Sequence, residues 1–247
     1  MKTLTIRDYG LNVELTPLIN IIGMPRSGKT TMLRLLINQI PNNTVFLDKQ
    51  NINAFDLNFK RKNIAACFDL KFNTAAAQTE MLYYQNKCGI SEQVSFDNLA
   101  SFIHVFALES LITEPLAKLI IKDLAYIKIL SLLIIKPRIL GIDNLMTLLS
   151  PKQKSKIIKY AEDNNITILN VTTNSEELLL GTDIVILDKF GVKVYDKTKV
   201  ILADEKLLKS VNMSLPFVLR ISDGLKHYDL LAKNYFELSS LVGALWK

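Results

Sequence analysis

The stretch GMPRSGKT, residues 23–30, constrains this chain more than any other feature. It matches the pattern G-x-x-x-x-G-K-[ST], and it stands between the apolar run PLINII and the helical run TTMLRLLINQI, which is the strand-then-helix setting the pattern requires. The glycines let the backbone curl so that successive N–H groups point inward, and the helix that follows presents the positive end of its dipole to the same spot. Such a cradle holds phosphate. Gly23, Met24, Pro25, Arg26, Ser27, Gly28, Lys29, Thr30 and Thr31 are therefore the expected phosphate-binding residues. Lys29 is placed to reach the β and γ phosphates of a nucleotide, and the Thr30 hydroxyl to ligate magnesium. The alternative is a glycine-bearing turn that matches by accident, and four specified positions with the right flanks argue against it.

Around this loop the punctuation comes from Gly, Pro and Asn clusters. A hairpin-like start, TLTIRDYGLNVEL, precedes the strand, and Pro41 stops the helix over 30–40. Further strands are expected at 44–48, 63–68, 138–143, 166–172, 183–188 and 191–196, with helices between the three that begin at 138, 166 and 183. Residues from about 74 to 135 carry apolar positions at helical spacing and are expected to be continuously helical, and helix returns from about 203. Apolar strands without alternation, separated by helices, argue an α/β fold with a mainly parallel sheet covered on both faces. The expected organisation is a P-loop NTPase core over 1–204, a helical subdomain inserted at about 70–135, and a short C-terminal helical extension over 205–247.

A chain of 247 residues suits one large α/β domain or a domain with an appendage. Apolar residues make up 49% of it, yet no run approaches the roughly eighteen apolar residues that span a bilayer. The greasiest part, 116–135, is interrupted by Lys118, Lys122, Asp123 and Lys128, so a soluble protein with a partner covering some of that surface is expected. The start, MKTLTIRDYG, lacks the apolar core of a signal peptide, which points to the cytosol. Cys67 and Cys88 fit neither a disulfide framework nor a zinc site and read as buried thiols. The net charge of +6 is carried almost wholly by lysine, and Lys152, Lys156 and Lys159 share one helical face. With no stacking aromatics or reader motif beside them, they read as a solvated face, and no nucleic-acid partner is expected. His104 and His227 match no catalytic pattern.

A second functional stretch is RILGIDNLMT, where an apolar strand ends in Asp143. That is where proteins with this loop keep the acid that holds the metal; an aspartate that merely caps the turn is the alternative. The next residue is Asn144. An amide there can orient a water molecule but cannot take its proton at neutral pH.

The order GMPRSGKTT, helical insertion, IKPRILGIDN and VTTNSEELLLGTDIVILDKFGVKV resembles an ABC-type ATPase over nearly the whole chain. The tail, LLKSVNMSLPFVLRISDGLKHYD followed by FELSSLVGALWK, resembles the C-terminal region of the ATPases of energy-coupling-factor transporters. The resemblance implies ATP and magnesium as cofactors, a membrane-embedded transporter subunit and a second ABC ATPase as partners, and a peripheral place on the cytoplasmic face of the membrane. Tyr83 and Tyr84 are expected to pack in the core; docking a partner is the alternative, since they lie beside the region that in the family receives the membrane subunit.

The departures from the family are as specific as the matches. Where a signature close to LSGGQ is expected, this chain reads LIIKD, Leu119 to Asp123. Two isoleucines in place of Ser and Gly remove a hydroxyl donor and block close backbone approach to a partner's nucleotide. The catalytic positions implied by the resemblance fall on Asn144, Thr173 in place of the switch histidine, and Asp69 in place of a glutamine. Tyr9 is the nearby candidate for the aromatic that stacks on adenine, although the segment from it to Gly23 is shorter than in the family. ATP binding is thus expected to survive while hydrolysis at the chain's own site is impaired. A homodimer would carry LIIKD at both interfaces, so a heterodimer is expected. The alternative is a nucleotide-gated pseudo-ATPase that stabilises a protein complex without transport.

Overall fold

The computed structural model describes residues 2–246. An N-terminal hairpin, β1 (Thr3–Ile6) and β2 (Leu11–Glu14), leads to β3 (Leu18–Gly23), the phosphate-type loop and α1 (Lys29–Leu36). Next come β4 (Val45–Leu47), β5 (Gln50–Asn51), α2 (Leu57–Asn63) and β6 (Ile64–Cys67). Three helices follow, α3 (Ala77–Lys87), α4 (Glu92–Phe106) and α5 (Ile121–Leu133). The chain then returns through β7 (Ile139–Asp143), α6 (Pro151–Asp163), β8 (Thr167–Val171), β9 (Asp183–Asp188) and β10 (Gly191–Lys197). It ends in α7 (Thr198–Leu202), α8 (Glu205–Lys209), α9 (Phe217–His227) and α10 (Leu238–Leu245).

The main sheet has the order β10-β9-β3-β8-β7-β6, parallel throughout except for the antiparallel edge pair β9 and β10. All five residues of β8 are buried, as are the first five of β3 and β9, which is why these strands read as unbroken apolar runs rather than alternating ones. One face packs on α3, α4, α5 and α6; the other is covered by α1 and a four-stranded antiparallel sheet, and α7 to α10 close the β9 end. Gly141 lets α1 sit close: a β-carbon there would lie 3.0 Å from Leu33 Cδ2 and 3.1 Å from the Ala66 β-carbon.

Several expectations change. The strand expected at 44–48 does not join the parallel sheet. β4 pairs with β1 and then turns through Asp48 and Lys49, both left-handed at φ 47° and 70°, into β5, so a tight hairpin replaces a crossover. The helix expected over 30–40 stops at Leu36, before Pro41, because Asn38 turns left-handed at φ 57° and the Asn42 side chain donates to the Leu35 and Ile40 carbonyls. The continuous helix expected from 74 to 135 is broken. Ala107 ends α4 at φ 54°, and Pro115, bridged to Ala76, holds an irregular segment until α5. Between β8 and β9 a short 3-10 helix over Ser175–Leu180 stands where an α-helix was expected, started by the Asn174 side chain accepting from the Glu176 N–H. The pair β5 and α2 lies in a stretch with no assigned element in the sequence reading. Among the described residues, no helix is long and apolar enough to cross a membrane.

Candidate functional site

Parallel strands deliver their C-terminal ends to one edge, and register shows which loops meet there. Ile21 pairs with Val171, Asp143 with the same Val171, and Cys67 with Ile142. The loops leaving β3, β8, β7 and β6 therefore issue side by side, at the edge where open α/β sheets bind ligands.

The loop from Gly23 to Gly28 is shaped by backbone freedom. A β-carbon on Gly23 would lie 2.3 Å from the Leu187 carbonyl oxygen and 2.7 Å from Ser27 Oγ, so nothing larger fits. Gly28 begins α1 in the left-handed region at φ 99°, and no side chain caps that helix's first turn. Lys29 folds back over the loop. Its ammonium donates to the carbonyls of Gly23 (2.7 Å) and Met24 (2.8 Å) and to Ser27 Oγ (3.3 Å). Partial burial pulls its pKa down, and the Asp143 carboxylate opposes that shift. Thr30 Oγ1 donates to Asp143 Oδ2 at 2.5 Å, which brings the two expected metal ligands together. A cavity of about 170 Å³ opens above, lined by Arg26, Gly28, Lys29, Thr30, Thr31 and Phe190.

Thr30 and Asp143 fit magnesium as hard oxygen donors, the type that ion takes alongside phosphate oxygens and water. Among the described residues there is no cluster of three or more His, Cys, Asp and Glu able to form a dedicated metal cage. The remainder of the ion's shell would therefore come from its ligand.

Asn144 adopts φ 60°, and its N–H donates to the Val171 carbonyl at 2.8 Å, which pins it across β7 and β8. Its side-chain oxygen accepts from Thr173 Oγ1 at 3.2 Å, and its carbonyl accepts from Thr147 Oγ1. Two of the three expected catalytic positions are thus bonded to each other. Neither offers a carboxylate or an imidazole. Asp69 is not brought into this pair: it is exposed, accepts from the Lys71 N–H at 3.0 Å and faces the Lys71 ammonium at 3.8 Å.

The LIIKD stretch begins α5, with Ile120 at the N-cap and no side-chain cap, and Ile120 and Ile121 are 62% and 60% exposed. Tyr9 is only 3% exposed. Its hydroxyl donates to the Gly28 carbonyl at 2.8 Å, and burial, aided by Asp8, pushes its pKa up to about 12. It props the loop from below rather than offering a free face to a base. Tyr83 and Tyr84 are half-buried and meet edge to face; Lys128 donates to the Tyr84 hydroxyl at 3.1 Å. Cys67 and Cys88 are free and buried, and burial pushes the Cys67 thiol up to about 12. His104 is exposed on α4, and His227 sits 3.8 Å from Asp223 on α9.

Two buried polar clusters escaped the sequence reading. In the first, Lys154 donates to Glu177 Oε1 at 2.6 Å, Asn170 donates to Glu177 Oε2 and to Asn20 Oδ1 at 3.0 Å each, and Asn20 donates to the Glu177 carbonyl. This ties the segment after Thr173 to β3, the strand that feeds the loop. In the second, Glu80 accepts from the N–H groups of Asn73 and Thr74 at 2.9 Å while Lys128 lies 3.7 Å away, which fixes the connection from β6 into the helical insertion.

No family model matches the chain. It is 23% identical over 256 positions to the energy-coupling factor transporter ATP-binding protein EcfA1 of Mesomycoplasma hyopneumoniae (strain 7448), covering 100% of this chain and 93% of that protein. The EcfA1 protein of Mycoplasmopsis synoviae (strain 53) is 22% identical, covering 94% and 90%. Among solved structures, cbiO1 from Clostridium perfringens, part of the ABC transporter complex cbiONQ, superposes with a TM-score of 0.72 at 17% identity over 91% of this chain and 99% of its own. A dimeric ATP-binding cassette in a post-hydrolysis state bound to ADP and phosphate gives 0.65 at 18% identity, over 80% and 96%.

Proposed function

We propose, for a chain that has the ATP-binding cassette fold and resembles the ATP-binding proteins of energy-coupling-factor transporters, that it is an ATP-binding subunit of such a transporter. In this reading it binds Mg-ATP in the loop over 23–30, couples that binding to a membrane-embedded subunit from the cytoplasmic face, and turns ATP over slowly or not at all. Its partner cassette is a different ATPase that supplies an intact signature, since this chain offers Ile120 and Ile121 at that place. Residues 1–204 form the nucleotide-binding domain with its helical insertion, and 205–247 the C-terminal extension.

One observation carries the proposal: a complete phosphate cradle stands beside the Asn144–Thr173 pair. Magnesium, when bound, would supply charge neutralisation to the nucleotide's phosphates. Lys29 gives up the Gly23 and Met24 carbonyls and turns its ammonium to the phosphates. Thr30 and Asp143 would hold the ion. The Asn144 carboxamide can hold a water in place but accepts no proton from it, and loss of one general base costs a factor of roughly 100 to 10,000 in rate.

The deciding measurement is ATP binding and single turnover by the purified chain, with and without the neighbouring ATPase. Tight binding with little turnover alone is the expected result. Brisk hydrolysis by the chain alone that disappears in Lys29→Ala sinks the impaired-site reading. Co-purification of the chain with soluble proteins only, and with no membrane-embedded subunit, sinks the transporter role.

A further inference from the structure

We propose that Phe190 is the platform on which the base of the bound nucleotide stacks. The inference rests on reading the 23–30 loop as a nucleotide cradle and names the residue that completes it. Phe190 stands in the two-residue turn between β9 and β10, where Asp188 pairs with Gly191. Lys189 and Phe190 are both left-handed there, at φ 46° and 62°. Such a turn favours Asn and Gly, and a bulky aromatic at its second position is out of keeping with the turn's own needs.

The surroundings give that ring a use. The Phe190 N–H donates to the Ser27 carbonyl at 3.1 Å, which latches the turn to the phosphate loop. The ring lies against the bare α-carbon of Gly28, where an added β-carbon would come 2.7 Å from Phe190 Cδ1. Tyr9 supports it from below, ring centroids 6.5 Å apart at 61°. Despite three fixed supports, the side chain is 53% exposed, and it is the one aromatic lining the cavity shared with Arg26, Lys29, Thr30 and Thr31. A rigid aromatic with an open surface, one side chain away from a triphosphate cradle, is what a purine ring stacks on. Tyr9 is too buried to serve and instead holds Phe190 and Gly28 in place.

The test compares Mg-ATP with inorganic triphosphate, also with magnesium, as ligands of the full chain. Phe190→Asn removes the ring while keeping a residue that tolerates the left-handed backbone, and thermal melting checks that the fold survives. It is expected to weaken ATP about five- to a hundredfold and to leave triphosphate within about twofold. Phe190→Trp is expected to retain ATP affinity. Tyr9→Phe, which loses the Gly28 bond, is expected to shift both ligands alike. An unchanged ATP affinity in Phe190→Asn, or an equal loss for both ligands, overturns the platform. If wild type then still binds triphosphate through Lys29, the cradle stands without it; if wild type binds neither ligand, both readings fall.

Discussion

Helices α1 and α5 both start without a side-chain cap, and they do opposite things with their first turns. α1 begins at Gly28, a left-handed residue without a side chain, and its uncapped turn opens on the cavity below Phe190. α5 begins at Ile120, and its uncapped turn lies under two exposed β-branched side chains. Both ends carry the positive pole of a helix dipole. Only the α1 end leaves its backbone open to approach, which a phosphate needs if it is to use the dipole. In the proposed reading, the stretch that stands in place of the family signature keeps its helix start and covers it with Ile120 and Ile121.

β3, which feeds α1, is braced by the buried Asn20, Asn170, Glu177 and Lys154 cluster. Glu177→Ala leaves Lys154 charged, 9% exposed and without its partner, so a loss of about 3–5 kcal/mol is expected by chemical denaturation. This is the largest effect we predict, and a loss below 1 kcal/mol, taken as roughly the value of an exposed pair, shows that the brace is idle. Lys29→Ala comes next. Removing a charged donor to phosphate is expected to weaken Mg-ATP binding about ten- to a hundredfold by calorimetry, with the fold intact. A smaller effect of opposite sign is expected at the other helix. Ile120→Ser supplies a missing N-cap, with Asp123 three residues on, and is expected to stabilise the chain by about 1 kcal/mol in a thermal melt. If it destabilises instead, the exposed isoleucines make stabilising contacts of their own.

The cradle was legible because its four specified residues report backbone geometry directly, and the parallel strands because full burial writes an apolar run. The braces were harder. Lys154 sits among lysines of a solvated helix, yet it shares a face with Ile157 and Ala161, at the i, i+3, i+7 spacing of a buried stripe. Asn20 and Asn170 each interrupt an apolar strand, and the fold sets them side by side in register, which no single strand reveals. Asp69 lies just past β6 at the right edge, but the sequence does not say that its carboxylate turns back to Lys71. Tyr9, the expected stacking aromatic, is covered, while Phe190, for which the sequence held no expectation, is exposed, because which of two aromatics is covered depends on the packing of the hairpin, the loop and the β9–β10 turn together.

The smallest expected effect is at the most conspicuous departure. Asn144→Glu puts a carboxylate where the amide now stands, yet single-turnover hydrolysis is expected to rise only a few-fold, far short of the roughly 100-fold or more that a well-placed base provides. The reason is local. Asn144 is left-handed, with its N–H committed to Val171, and glutamate tolerates that backbone less readily than asparagine. Its side-chain partner, Thr173, has no imidazole to share with a phosphate, and Asp69 stays tied to Lys71. Across the partner interface, Ile120 and Ile121 leave the second half of a closed site unmade if the other cassette carries the same stretch. In the proposed reading a single exchange restores one function among several altered ones, and such effects are not additive. A hundredfold gain from Asn144→Glu alone shows that the two helix starts differ less in consequence than in chemistry, and that α5 closes over nucleotide in spite of its isoleucines.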